Sequence, residues 1–232
     1  MANFFRSVAA LYAVYVMSLA QASPVAAQTP APADQAAAGN ASIYNLDRQA
    51  GTGSVVIEGL IDKSVASHAI ELIKSLRPDV DDLTVVLNSP GGDVLAAMEI
   101  GDELRRQWAL TAVDEDGECV GACVFVLAAG VRRAPGPEKV AIQRPHFDPK
   151  EFAGMSSDRA KQKYAALTKK AQAYLSRMGM SNKLFQEMMQ QPSDKALVLN
   201  AGRLKALGLE GSYPAYEEWL RANSSQQPPQ SN

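Results

Sequence analysis

The sequence is poor in the side chains from which metal and redox centres are built. Its 232 residues include two cysteines and two histidines, so a four-ligand zinc site made from them would need all four. One of the two histidines, His68, falls within a predicted helix, where a partly exposed structural position is the simpler expectation. We therefore expect neither a metal nor a cofactor.

Strong charge of one sign is missing as well. The formal net charge is −2, and the chain has no basic run and no alternation of basic with aromatic residues. These absences argue against nucleic-acid binding. Beyond the first residues, no apolar stretch approaches the ~20 residues that a membrane-spanning helix needs, so we expect no membrane span in the mature protein.

The first 27 residues have the layout of a secretory signal peptide. A positive charge at Arg6 precedes an apolar run over residues 8–20, and small residues in A-x-A-like patterns follow at 20–22 and 25–27. Because the apolar run is too short for a membrane anchor, we expect cleavage. The predicted location is periplasmic or secreted.

Composition divides the remaining chain into three parts. Residues 28–47 begin with alanine, proline and small polar residues, which predicts a linker. Residues 48–222 have ordinary apolar content and the size of one globular domain. Residues 223–232 are again rich in serine, glutamine and proline, which predicts a disordered tail.

Within the domain, apolar patterns alternate between strand type and helix type. The nearly continuous apolar run at residues 83–87 is typical of a parallel strand that is covered on both faces. The alternation predicts an α/β fold with right-handed crossovers and a mostly parallel sheet. The predicted strands are 54–61, 83–87, 110–113 and 139–142. The first predicted helix begins after Ser64, which is its expected cap. The other predicted helices cover 93–107, 122–129, 157–178 and 182–190.

Three segments combine turns, glycines and polar residues at strand ends or helix starts, where ligands bind in parallel sheets. They are NSPGGD at residues 88–93, CVGAC at 119–123 and AIQRP at 141–145. Glycines in the first segment let the backbone approach a ligand. The second segment leads into a helix, whose first N–H groups are unpaired. Two such donors facing one point form an oxyanion hole.

In this order, the three segments resemble the active-site segments of the Clp proteolytic subunit family, within the Clp/crotonase superfamily. The resemblance covers about residues 54–209 and includes the stretch from Asn200 to Leu209. It implies a Clp/crotonase-like ββα superhelix and a peptidase site. The paired cysteines resemble a secreted subgroup with a Cys-x-Ser-Ala-Cys pattern.

The resemblance also implies that the usual catalytic side chains are missing. Gly121 occupies the position of the nucleophilic serine, and Gln143 occupies that of the general-base histidine. The implied oxyanion donors come from the backbone of Gly91 or Gly92 and of Ala122. The third acid of the family falls near Pro192, with Asp194 close by.

Cys119 and Cys123 are expected to form a disulfide. An exported protein meets an oxidising environment, and two cysteines four residues apart on a helical turn have Cα atoms near 6 Å, within the range that a disulfide allows. The bond would hold the loop that enters the Gly121 turn.

Three functions remain open at this point. The favoured one is non-catalytic binding of a peptide or protein segment, with a homo-oligomer or an active paralogue as further partners to test. The alternative is a hydrolase with a displaced site, in which Cys119 or Cys123 is the nucleophile and His146 the base. A disulfide would exclude it, because no thiolate would exist. The third is acyl-thioester binding, as in crotonases, which share the oxyanion hole.

The signal-peptide assignment predicts that the mature chain begins between about Ser23 and Gln28, because both cleavage-like patterns end there. N-terminal sequencing of the exported protein measures this directly. Recovery of an intact Met1 from the envelope fraction would contradict the assignment.

Overall fold

The computed structural model of the protein describes residues 38–223. The predicted signal peptide, the predicted linker up to residue 37 and residues 224–232 lie outside this range. The predicted linker extends too far into the chain, since its last eight residues form β1 (Asn40–Asp47). Only one side chain of this strand, that of Ala41, is buried, so its sequence carries little apolar signal.

Strands and helices alternate along the described part of the chain. The further strands are β2 (Thr52–Glu58), β3 (Asp82–Asn88), β4 (Leu110–Val113), β5 (Cys119–Val120), β6 (Arg132–Ala134), β7 (Val140–Ile142), β8 (Leu197–Val198) and β9 (Gly211–Ser212). The helices are α1 (Lys63–Leu76), α2 (Val94–Arg106), α3 (Cys123–Ala129), α4 (Ser157–Arg177), α5 (Asn182–Gln190), α6 (Ala201–Leu207) and α7 (Pro214–Asn223).

The strands form two sheets. The larger sheet has the order β1-β2-β3-β4-β6-β9, with four parallel strands in the centre and an antiparallel strand at each edge. The smaller sheet has the order β5-β7-β8, in which β5 and β7 are parallel and β8 is antiparallel. The predicted α/β fold with a mostly parallel sheet is confirmed.

The core lies on one face of the larger sheet. Leu83, Val85 and Leu87 of β3 are fully buried, whereas the alternate residues of β3 are only partly covered, as the period of two in a strand requires. On the buried side α2 packs against α1 and α3. Every residue of α3 is buried, which confirms the burial predicted from its uniformly apolar sequence.

The start of α1 differs from the prediction. Asp62, and not Ser64, caps the helix, because its Oδ1 accepts a hydrogen bond of 2.9 Å from the Val65 N–H. Asparagine, aspartate and serine are comparable caps, so the sequence alone leaves the choice between two nearby residues open.

A glycine in α2 allows the long helix α4 to pack closely. Tyr174 of α4 is fully buried, and its hydroxyl donates a 2.9 Å hydrogen bond to the Phe125 carbonyl. Burial raises the pKa of this phenol, so the hydroxyl stays a donor. A Cβ at Gly101 would overlap this hydroxyl and would lie 2.9 Å from the Ala129 Cβ.

Gly101→Ala is therefore expected to lower the free energy of unfolding by about 1–3 kcal/mol, the usual cost of overpacking a core. Gly202→Ala is the matched control, because Gly202 is exposed in α6 and its Cβ would meet nothing closer than the Asn200 Oδ1 at 3.6 Å. The control should be neutral or stabilising by up to about 1 kcal/mol. Urea denaturation measures both, and equal effects would contradict the packing argument.

Candidate functional site

The first of the three segments is a tight turn after β3. Ser89 is fully buried, and its hydroxyl donates to the Gly59 carbonyl at 2.6 Å while it accepts the Gly91 N–H at 3.1 Å. Gly91 and Gly92 have φ angles of +112° and +138°, which L-residues with side chains rarely adopt. The turn therefore needs both glycines.

These glycines also allow other backbone segments to approach the turn. A Cβ at Gly91 would lie 2.8 Å from the Val120 carbonyl oxygen, and one at Gly92 would lie 2.8 Å from the Ile61 nitrogen. In place of side chains, backbone hydrogen bonds form, from the Ile61 N–H to the Gly91 carbonyl and from the Asp93 N–H to the Ile61 carbonyl, both 2.8 Å.

The second segment lies directly beside this turn. The Ser89 N–H donates to the Glu118 carbonyl at 2.7 Å, and the Val120 N–H donates to the Ser89 carbonyl at 3.0 Å. The chain then turns at Gly121, whose φ is +57°, and enters α3. A Cβ at Gly91 would lie 3.3 Å from the Ala122 nitrogen, so the two segments meet at the start of this helix.

The predicted disulfide between Cys119 and Cys123 is confirmed. The Cα atoms are 5.2 Å apart and both cysteines are fully buried. The bond joins β5 to the first residue of α3 across the Gly121 turn, rather than spanning one turn of helix as the spacing suggested. Because both sulfurs are in the bond, neither forms the thiolate that the cysteine-nucleophile alternative requires.

The third segment completes the cluster. The Gly121 N–H donates to the Ala141 carbonyl of β7 at 3.0 Å, which places the residue after the strand next to the Gly121 turn. The Gln143 side chain lies over the glycine, since a Cβ at Gly121 would be 2.7 Å from the Gln143 Oε1. The structure thus brings Gly91, Gly92, Gly121, Ala122 and Gln143 together.

The backbone donors of the cluster are not equivalent. The Gly91 N–H is already bonded to the Ser89 hydroxyl, so Gly91 serves the turn itself. Within residues 38–223, no hydrogen-bond acceptor faces the N–H of Gly92 or that of Ala122, the residue that precedes α3. These two are the N–H groups that remain available to a ligand.

Asp93 holds the segment after Gln143 in place, a role that sequence reasoning missed. One carboxylate oxygen caps α2 through the Ala96 N–H at 2.9 Å, and the other accepts the Asp148 N–H at 3.0 Å. His146 is exposed, and its carbonyl accepts the Val94 N–H at 3.0 Å. The 55-residue separation between Asp93 and Asp148 left no local signal for this contact.

The region of the predicted third acid lies beside the third segment. β8 pairs with β7 so that Leu197 faces Ile142, and Arg144 donates to the carbonyls of Met189 and Gln191 at 2.7 and 3.1 Å. Asp194 is exposed in the loop before β8 and forms neither a hydrogen bond nor an ion pair within the described residues. It has no contact that would orient a base at position 143.

The described residues also limit the other kinds of site. Between residues 38 and 223, no helix is long and apolar enough to cross a membrane. The same part of the chain contains no group of three or more histidine, cysteine, aspartate or glutamate side chains that could hold a metal ion.

Removal of the disulfide with Cys119→Ala and Cys123→Ala is expected to lower the free energy of unfolding by about 2 kcal/mol, a small effect because the closed loop is short. Urea denaturation measures it, and a reductant should destabilise the wild type but not the double variant. Alkylation followed by intact mass provides the second readout. Two alkylated thiols in the oxidised protein would contradict the disulfide and revive the cysteine-nucleophile alternative.

Comparison with known proteins agrees with this arrangement. A search of curated proteins gives no match. The family model of the Clp protease matches residues 38–209, a range that begins just before β1 and contains all three segments of the site. Because this match covers well over half of the sequence, the chain belongs to the Clp protease family.

Proposed function

We propose that the protein is a secreted, non-catalytic member of the Clp protease family that binds an extended peptide or protein segment. The observation that carries the proposal is the pairing of Gly121 with Gln143 at the positions of nucleophile and base. Glycine has no side chain to attack a carbonyl, and a glutamine amide has no useful basicity near neutral pH. Loss of either member of a catalytic triad is severe by itself.

The other hydroxyl in the cluster does not replace the missing nucleophile. Ser89 is fully buried, and its hydrogen is directed at the Gly59 carbonyl at 2.6 Å. A nucleophilic hydroxyl needs a base within hydrogen-bond reach, and the acceptors around Ser89 are backbone carbonyls. This environment supports a structural role for Ser89 in the turn.

The groups that remain fit a peptide. The N–H groups of Gly92 and Ala122 can donate to a peptide carbonyl, and the Gln143 amide can both donate and accept. β8 is an edge strand of the small sheet, with Val198 55% exposed. An extended segment can add to such an edge through main-chain hydrogen bonds, and this mode of binding needs no catalytic side chain.

The disulfide supports the proposed location. Structural disulfides persist in oxidising compartments such as the periplasm and are rare in the cytosol. Together with the signal-like residues 1–27, the Cys119–Cys123 bond supports export before or during folding.

The proposal predicts that the purified mature protein binds peptides of an immobilised peptide library without cleaving them. Gln143→Ala should weaken the tightest peptide by about 2- to 10-fold, the effect of one neutral hydrogen bond. Gln162→Ala is the matched control, because Gln162 is exposed on α4, and it should leave the affinity unchanged. Fluorescence anisotropy with labelled peptides measures the affinities, and mass spectrometry of the same peptides detects cleavage.

A fluorophosphonate probe tests the absence of a serine mechanism. The wild type should remain unlabelled, and labelling at Ser89 or any other serine would contradict the proposal. The double variant Gly121→Ser with Gln143→His is expected to gain weak labelling, because the backbone donors survive and an oxyanion hole alone supplies on the order of 10³-fold over water. Gln143→His alone should gain nothing, since no nucleophile faces it.

A further inference from the structure

Two arginines meet at the end of the buried helix α3. Arg105 of α2 donates from Nε to the Ala129 carbonyl at 2.9 Å and from Nη2 to the Ala128 carbonyl at 3.4 Å. Arg133 of β6 donates to the Gly130 carbonyl at 2.9 Å. The last carbonyls of a helix have no partner within the helix, so both guanidinium groups first serve to satisfy a helix end that water does not reach.

The charge of this pair exceeds what a helix end requires. A helix C-terminus corresponds to about half a negative charge, whereas the two guanidinium groups carry two positive ones. No ion pair among residues 38–223 includes Arg105 or Arg133. Arg133 is only 6% exposed, and its Nε has no hydrogen-bond partner in the described part of the chain. The pair is therefore a positive centre without a counter-anion.

Both arginines remain charged at neutral pH. Burial, and next the charge of Arg105, lower the pKa of Arg133 to about 10. Burial also lowers the pKa of Arg105, and the charge of Arg177 acts in the same direction. A bound anion would relieve these like-charge interactions, so the cluster gains from a ligand of negative charge.

A groove beside Arg105 makes this centre accessible from solvent. Its volume is about 550 Å³, which is within the range of small-molecule sites. Three cations, one acid, one aromatic ring and one thioether line it. They are Arg105, Arg106, Arg177, Asp102, Tyr213 and Met178. We call this surface the arginine groove.

Arg105 is fixed in position before any ligand binds. Its Nη2 also donates to the Met178 carbonyl at 3.3 Å, and its guanidinium carbon lies 4.0 Å from the centre of the Tyr213 ring. The ring is fixed in turn, because the Tyr213 N–H donates to the Val131 carbonyl at 2.7 Å and a Cβ at Gly179 would lie 3.3 Å from the ring. A group that is already ordered loses little entropy on binding.

The other two arginines of the groove differ in what they can offer a ligand. Arg106 is paired with the buried carboxylate of Glu103. Arg177 is paired with Asp102 at 2.5 Å, but these side chains are 59% and 46% exposed. Exposed pairs contribute little to stability, so Arg177 can exchange Asp102 for a ligand at small cost. Arg105 and Arg177 are thus the expected ligand-binding groups, and Asp102 is the acid that competes with the ligand.

We propose that the arginine groove binds a phosphate monoester, with the phosphate on Arg105 and Arg177. The planar fork of arginine matches the oxygens of a phosphate and can bind two of them at once. A dianion also matches the two uncompensated charges of Arg105 and Arg133. Because the groove is larger than one phosphate group, Met178 and Tyr213 are left to contact the organic part of the ester.

The arginine groove is separate from the candidate peptide site. Ala122 of that site precedes the first residue of α3, whereas Ala128 and Ala129 lie at the other end of the helix. The rise of seven helical residues separates the two ends by about 10 Å. The inference therefore does not depend on the proposed function, and each can fail without the other.

Isothermal titration calorimetry of the mature protein with phenyl phosphate tests the proposal. At about pH 8 this ester is a dianion, since its second pKa is about 6. Phenyl sulfate has a similar shape but one charge, so it should bind at least about 10-fold more weakly. Arg105→Gln and Arg177→Gln should each raise the Kd for phenyl phosphate by on the order of 10-fold, the effect of one charged hydrogen bond.

A variant that gains affinity keeps the test independent of misfolding. Arg105→Gln also removes the bonds to the end of α3 and is expected to destabilise the fold. Asp102→Asn removes only an exposed acid, and it should lower the Kd by about 3- to 10-fold because Arg177 loses its competing partner. Thermal unfolding followed by circular dichroism should show one cooperative transition for Asp102→Asn and for Arg177→Gln.

Two matched controls make the same charge changes elsewhere. Asp158→Asn and Arg159→Gln lie at exposed positions near the start of α4. Along this helix they are roughly 30 Å from Arg177, so both should leave the Kd unchanged. Controls that change the Kd as much as Asp102→Asn and Arg177→Gln do would show that only the overall charge matters, which would overturn the proposal.

Vesicles of phosphatidylcholine with or without phosphatidic acid distinguish a lipid phosphate from a soluble one. Co-sedimentation that needs phosphatidic acid and is lost in Arg177→Gln would assign the groove to a lipid headgroup. Binding of phenyl phosphate without co-sedimentation would assign it to a soluble ester. Failure to bind either probe, equal affinity for phenyl sulfate, or an unchanged Kd in Asp102→Asn would each reject the phosphate site.

Discussion

The close approach of three backbone segments at the turn after β3 is the constraint on which the site depends. The turn can lie against Ile61 on one side and Val120 on the other because positions 91 and 92 have no Cβ. The backbone hydrogen bonds of Ser89 with Glu118 and Val120 then set the position of the segment that enters α3 relative to β3. A side chain at either glycine would push the segments apart and separate the Gly92 and Ala122 N–H groups.

This dependence on backbone explains how a site can keep its form after its side chains change. The donors of the proposed oxyanion hole are main-chain groups, and their positions follow from the turn and the disulfide rather than from residue 121 or 143. Gly121 has a φ of +57°, a conformation that costs a non-glycine residue about 1–3 kcal/mol. Under the proposed function, glycine removes that strain, and the Gln143 side chain covers the space that a nucleophile would occupy.

Apolar patterns along the sequence predicted those helices and strands whose residues are buried in a regular pattern. α5 and β4 have the predicted bounds, and α3 is buried as its apolar sequence indicated. β1 was assigned to the linker because an edge strand with one buried side chain has no period-two pattern to detect. The two hydrogen bonds of Asp93 were missed for a related reason, since Asp148 reaches it only through the tertiary fold. The sequence motifs predicted that Gly121 and Gln143 lie close together, and in the structure they do. The motifs could not show that the Gly91 N–H is already bonded to the Ser89 hydroxyl.

The disulfide gives a physical reason why a glycine is tolerated at the centre of the site. Glycine loses more conformational freedom on folding than any other residue, and an unconstrained Gly121 would leave the start of α3 poorly fixed. The Cys119–Cys123 bond closes a short ring around it, which restricts the unfolded chain as well as the folded turn. The N–H of Ala122, inside the same ring, therefore keeps a defined direction, and under the proposed function it can hold a ligand in place without a side chain at position 121.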